Sequence, residues 1–265
     1  DRRQRQMCIR DRHKREAHAA HHDSKCVSVP YLQPVRHDLQ LNTDMLKLIA
    51  MLTMLVDHIG LLFFPEIMAF RIVGRIAMPL FAYGIAQGYW YTRQHGTTAR
   101  YLCRVSALFL VSQIPYNLVQ YQAGVALNFN ICISWVLGIV ALVILDSQWH
   151  YLLKTLLLTA IAVAITGTWL DYSFLAVSMV IAFSLRFRVQ KGTPIALCAA
   201  GALVIMFSVL YSNYIELYAL TTLPILLWVE KETEQRGKTL KIPKWVGYAF
   251  YPVHLSLLAA IKFIV

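Results

Sequence analysis

The chain has 265 residues, of which 58% are hydrophobic and only 15% charged, with a formal net charge of +11. Soluble domains average roughly half apolar and a quarter charged, so this balance excludes an ordinary globular enzyme. Apolar runs of about 18 or more residues recur without strand-length alternation, which excludes an outer-membrane barrel and predicts an all-α, polytopic membrane helix bundle.

Residues 1–44 are polar, basic and His-rich, with no apolar stretch, so they read neither as a signal peptide nor as a folded domain. The expectation is a disordered basic tail. Its Arg/Asp/Gln texture reads as non-native, with Met45, directly before the first apolar run, as a natural start. The histidines of this segment (His13, His18, His21, His22, His37) are assigned to the tail rather than to a metal site.

Residues 46–265 read as a single transmembrane domain with about nine spans, near 46–64, 67–91, 102–119, 127–145, 151–170, 172–185, 193–211, 214–229 and 245–264. Only residues 230–244 read as a hydrophilic loop, closed by Pro243. No internal repeat stands out. With the N-terminus in the cytoplasm, the cytoplasmic connections hold twelve Lys/Arg residues, Arg93, Arg100, Arg104, Lys154, Arg186 and Arg188 among them. The outer connections hold two, Arg71 and Lys262. This bias sets the orientation and accounts for the positive charge without nucleic-acid binding. The five cysteines show neither CxxC nor zinc spacing, so no disulfide framework and no metal is expected.

Polar residues within spans are costly unless partnered, and they are the candidates for function. Asp57 and His58 lie mid-way along the first span, Arg71 and Arg75 on the second. A short connection makes these spans antiparallel neighbours, and counting residues at 1.5 Å each puts Asp57 and Arg75 at comparable depth. An Asp57–Arg75 pair would offset both charges and orient the imidazole of His58. Arg71, nearer the outer interface, is placed to snorkel. Lys47 lies eleven residues before His58, about 1,100° of rotation, which returns both to one helix face within roughly 20°. A cation at the cytoplasmic mouth and an imidazole deep in the bundle suit an anionic cytosolic donor. Gln113 and Asn117 flank Pro115, and Asn128 and Asn130 open the fourth span; for these, capping and helix–helix hydrogen bonding compete with substrate contact. Asp171 reads as a helix cap, Glu216 is ambiguous, and His254 reads as a packing residue.

The segments 46–60 (LKLIAMLTMLVDHIG) and 71–83 (RIVGRIAMPLFAY) resemble the opening of the TraX family. So do GYWYTR at 88–93, YLCR at 101–104, SQIPYN at 112–117 and FYPVH at 250–254. The resemblance implies a bacterial inner-membrane acetyltransferase that moves an acetyl group from acetyl-CoA to a pilin N-terminus or another envelope acceptor, protein or glycan. The Lys47-to-His58 spacing and the arginine pair are also similar to the first-helix motif of the acyltransferase type-3 class, where the His is taken as catalytic. The arginines are separated by three residues here rather than two. On this reading His58 is the base or acyl carrier, Asp57 orients it, and Arg75, Gln113 or Asn117 stabilises the oxyanion. Lys47, Arg71, Arg93, Arg104 and Asn128 complete the donor- and substrate-binding set. A proton-coupled transporter and a non-catalytic membrane assembly protein are the alternative classes.

Overall fold

The computed structural model describes residues 43–166, 172–189, 192–236 and 242–264. The expected tail, apart from its last two residues, lies outside the described residues, as do Asp171, Lys191, Lys238 and Lys241.

Helices follow one another along the described residues, with no strand between them: α1 (Thr43–Phe63), α2 (Met68–Gly74), α3 (Ala77–Gln94), α4 (Thr98–Gln122) and α5 (Ile131–Asp146). α6 (Tyr151–Ile165), α7 (Ser173–Arg188) and α8 (Gly192–Leu210) come next, then a 3-10 segment (Tyr214–Thr221), α9 (Thr222–Arg236) and α10 (Lys244–Ile264). With α2–α3 and the 3-10 segment–α9 each taken as one passage, the described residues make nine helical passages. Five of the helical stretches are long and apolar enough to span a bilayer by themselves. The chain is a helical membrane bundle.

Three features depart from the sequence reading, two of them with a local cause. The second span is broken between Gly74 and Ala77. Pro79 has no N–H to offer the carbonyl of Arg75, and its ring crowds that carbonyl, so the helix cannot run through unbroken. Thr222 Oγ1 donates to the nearby Ile76 carbonyl at 3.4 Å. The eighth span begins as a 3-10 turn rather than a regular helix, and this turn presents Glu216 to the bundle interior. Its helix then runs past Val229 to Arg236, so the first half of the expected loop is helical. Glu230-Lys-Glu-Thr-Glu-Gln-Arg236 is rich in helix formers and ends on a cation, which favours a helix C-terminus.

α7 lies at the centre. Leu175, Ala176, Val177, Met179, Val180, Ala182 and Phe183 are all buried, covering every face of the helix, which packs against α3, α5 and α8. α6, in contrast, exposes Leu152, Leu153, Leu156 and Val163, as a helix facing hydrocarbon does. The α1–α2 hairpin is closed by two glycines. A Cβ on Gly74 would fall 2.1 Å from Asp57 Oδ1, and one on Gly60 would fall 2.2 Å from Phe70 Cβ. The backbones approach because those positions carry no side chain.

Contacts at the helix ends fix relative directions. Asp44 Oδ2 accepts from the Ile242 amide at 3.0 Å, and at the far end Lys262 Nζ lies 5.6 Å from the Phe63 ring centroid. α1 and α10 therefore run parallel.

Candidate functional site

Five elements converge in the half of the bundle toward the ends of α1 and α10. α1 supplies Asp57 and His58, α2 and the break that ends it supply Arg71 and Arg75, the turn before α7 supplies Tyr172, the 3-10 segment supplies Glu216, and α10 supplies His254. The close glycine contact of α1 with α2 brings the first four together. Arg71 Nη1 lies 2.8 Å from Asp57 Oδ2, while Arg75 Nη2 lies 3.9 Å from Asp57 Oδ1. The expected Asp57–Arg75 pair is thus present but is the longer of the two. Arg71, expected to snorkel, is the residue that clasps Asp57.

Arg75 sits at the helix break, and the break turns it inward. Its Nη1 lies 2.7 Å from Glu216 Oε1 and donates to Tyr172 Oη at 2.6 Å, with the guanidinium 5.5 Å from the Tyr172 ring centroid. Tyr172 is held with φ at 59°, a left-handed conformation that a bulky residue adopts only when its surroundings impose it. The Arg75 and Glu216 side chains are 7% and 3% exposed, against 30% for Arg71 and 14% for Asp57. Two carboxylates and two guanidiniums balance in charge, which is what permits their burial.

The histidines stand beside this group. His58 Nδ1 is 2.9 Å from the Met54 carbonyl, and His254 Nδ1 is 2.7 Å from the Phe250 carbonyl. His254 Nε2 approaches His58 Nδ1 at 3.3 Å. His254, read from sequence as a packing residue, is therefore a partner of His58, and Glu216 is the close partner of Arg75. The motif containing His254 was visible in the sequence, whereas nothing in the sequence pointed to the 3-10 turn that delivers Glu216.

The remaining candidates lie elsewhere. Gln113 Nε2 donates to Asn117 Oδ1 at 2.8 Å and to the Asn128 carbonyl at 2.9 Å. Its Oε1 accepts from the backbone and side-chain amides of Asn130 at 3.0 and 2.9 Å, and Asn130 caps α5 by accepting from the Cys132 amide. Gln113 joins α4 to the start of α5, with its amide engaged at both ends. Lys47 pairs with Asp44 at 3.0 Å in the first turn of α1. Arg104 is exposed at the start of α4, its Nε 3.3 Å from the Arg100 carbonyl.

Arg93 belongs to a second charge group at the other end of the bundle. It lies 2.7 Å from Asp146, which also takes Arg188 at 2.5 Å and the Tyr89 hydroxyl at 2.7 Å. Nearby, Arg186 pairs with Glu230 at 2.7 Å, donates to Thr193 at 2.9 Å and lies over the Tyr83 ring. These contacts tie α3, α5 and α7, and α7 to α8 and α9, at the end that carries the Lys/Arg-rich connections. Among the described residues no three His, Cys, Asp or Glu gather as a metal site.

Polar residues gathered inside the bundle, with an apolar surface around them, define a multi-pass helical membrane protein with an interior polar site. The family model described as "TraX protein" matches residues 42–262, and the chain belongs to that family. It is 27% identical to the "Probable fimbrial assembly protein FimC, serogroup H1" of Dichelobacter nodosus over 236 residues, 82% of this chain and 94% of that protein. A shorter stretch of 40 residues, 15% of this chain and 16% of the relative, is 52% identical to "Uncharacterized protein RP591" of Rickettsia prowazekii (strain Madrid E). No solved structure matches.

Proposed function

We propose that this protein is an acetyltransferase of the bacterial inner membrane that passes an acetyl group from cytosolic acetyl-CoA to a pilin-like or other envelope acceptor. The observation that carries this reading is the state of His58. A carbonyl only accepts, so the contact with Met54 assigns the proton to Nδ1 of the neutral ring and leaves Nε2 with its lone pair, beside a charge-balanced Asp–Arg group inside the bundle. Such a nitrogen is a general base. The relation to the acyltransferase type-3 class belongs to the same proposal and rests on the Lys47-to-His58 spacing.

In this mechanism the acceptor amine attacks the thioester carbonyl, and His58 Nε2 takes its proton. The C–N bond forms, the C–S bond breaks, and the proton passes on to the departing sulfur. Arg71, clasping Asp57 but the more exposed of the two arginines, is better placed to turn to the oxyanion than Arg75, which is engaged by Glu216 and Tyr172. At the other end, the exposed Arg100 and Arg104 offer their charge to the donor phosphates more freely than Arg93 or Lys47, which face Asp146 and Asp44.

A second reading, membrane assembly without catalysis, is favoured by the name of the Dichelobacter relative. Membranes containing the protein, incubated with radiolabelled acetyl-CoA, separate the two. Covalent label on envelope protein or glycan that depends on the protein is the expected result. Unlabelled acceptors in membranes that still support fimbrial or pilus assembly would establish the assembly reading in its place.

A further inference from the structure

His254 lies on α10, 196 positions from His58 in sequence, yet the two rings are 5.1 Å apart by centroid and tilted 55°. The hydrogen-bond chemistry of the pair is determinate. Both Nδ1 atoms face carbonyl oxygens of their own helices, so both carry protons, and both Nε2 atoms hold lone pairs. The 3.3 Å contact between His254 Nε2 and His58 Nδ1 therefore joins a lone pair to an N–H. The His58 proton is forked between the Met54 carbonyl and His254. His254 is itself held in place: it is 5% exposed, stacks on Phe250 at 4.6 Å and has Tyr251 at 5.8 Å.

We propose that His254 is a positioning residue for His58, accepting its Nδ1–H alongside the Met54 carbonyl and so holding the ring in the tautomer and orientation that leave Nε2 free to act as base. This rests on the acyl-transfer reading above and adds a residue to it. In the balanced step already written, His254 neither gains nor loses a proton. While His58 carries the proton from the acceptor, its Nδ1–H becomes a cationic donor, and the bond to His254 becomes charge-assisted and stronger. The benefit is thus larger in the transition state than in the ground state, which is the condition for raising turnover rather than affinity. A neutral partner also suits the surroundings. Asp57 on α1, Arg71 on α2, Arg75 at the break that follows it, and Glu216 on the 3-10 segment already balance, and a further carboxylate at 254 would leave one negative charge over.

The test compares His254→Ala with His254→Gln, whose side-chain carbonyl can still accept from His58. Acetyl transfer is measured per folded molecule, alongside nitrogen–proton correlation spectra of the histidine-labelled protein in detergent. His254→Ala should lower kcat about 10- to 100-fold, the worth of one hydrogen bond to a charged group, with KM for acetyl-CoA unchanged. The His58 Nδ1 proton resonance should move upfield. His254→Gln should recover most of the loss and most of the shift. Normal kcat in His254→Ala, or a His58 resonance indifferent to both substitutions, overturns the assignment. Absence of acetyl transfer by the wild-type protein would remove the function proposed above, and the resonance alone would then decide whether His254 holds His58.

Discussion

At the scale of single residues, the buried charges make unequal contributions, and exposure ranks them. Glu216→Gln would remove the carboxylate charge that stands 2.7 Å from Arg75, 7% exposed, whose contact to Asp57 is longer at 3.9 Å. Losing one partner of a buried pair costs about 3–5 kcal/mol, so this variant should unfold at clearly lower temperature in detergent. Asp57→Asn should cost less, about 1 kcal/mol, because Arg71 is 30% exposed and can turn outward. Combining Glu216→Gln with Arg75→Gln should return much of the lost stability. Equal melting temperatures for Glu216→Gln and Asp57→Asn would show that the cluster does not divide in this way. His58→Ala removes one half-buried ring and its hydrogen bond, at about 1 kcal/mol, yet should abolish acetyl transfer. Turnover near normal in folded His58→Ala protein would rule out His58 as the base.

These residue-level outcomes differ from what the sequence suggested, and the reason is geometric. Depth along a helix can be counted from sequence, which is why Asp57, His58, Arg71 and Arg75 could be grouped from it. Which way a guanidinium turns cannot be counted. The break before Ala77 swings Arg75 toward Glu216 and leaves Asp57 to Arg71. The break had a legible signal in Pro79, four residues after Arg75, whereas the partners of Glu216 and His254 depend on docking between elements far apart in the chain. Gln113 and Asn130 show the converse: the helix–helix bonding and the capping weighed for them in the sequence are contacts they make, while Asn128 contributes a backbone carbonyl.

At the scale of elements, the α1–α2 hairpin is where packing and site chemistry meet. Gly74 admits the Asp57 side chain against the α2 backbone, with no room for a Cβ. The atoms it would strike include Asp57 Cβ and Cγ at 2.4 Å, close to the α1 backbone, so a rotamer change alone cannot relieve the clash. Gly74→Ala should therefore push α1 from α2, costing about 1–3 kcal/mol as overpacking does, and should pull Asp57 off Arg71. The check is a melting temperature together with acetyl transfer per folded molecule, both of which should fall. Gly84→Ala serves as control, because a Cβ there meets nothing within 4 Å. Identical behaviour of the two alanine variants would mean that the hairpin relaxes freely and that its close approach does not hold the site.

At the scale of the whole molecule, the direction of each crossing decides whether a cytosolic donor can reach His58. Charge bias and contacts agree on the arrangement. Arg93, Asp146 and Arg188 meet at one end, closing the C-termini of α3, α5 and α7, while Gln122 of α4 donates to the Ala259 carbonyl near the end of α10 at the other. The first end bears the Lys/Arg-rich connections and is cytoplasmic by the positive-inside rule. His58 then lies about 22 Å along α1 from its cytoplasmic start, at 1.5 Å per residue, so in the proposed acyl transfer a cytosolic donor would have to thread most of the bundle and an acceptor outside would have the shorter approach. In a cysteine-free background, His95→Cys, in the exposed turn after α3, should resist an impermeant maleimide in intact cells and react after the membrane is opened. Val125→Cys, 42% exposed in the turn after α4, should react in intact cells. The reverse pattern would invert every crossing, place His58 near the cytoplasmic face and leave acetyl-CoA a short route to it. The orientation would then be wrong while the pairing of His58 with His254 stood unchanged.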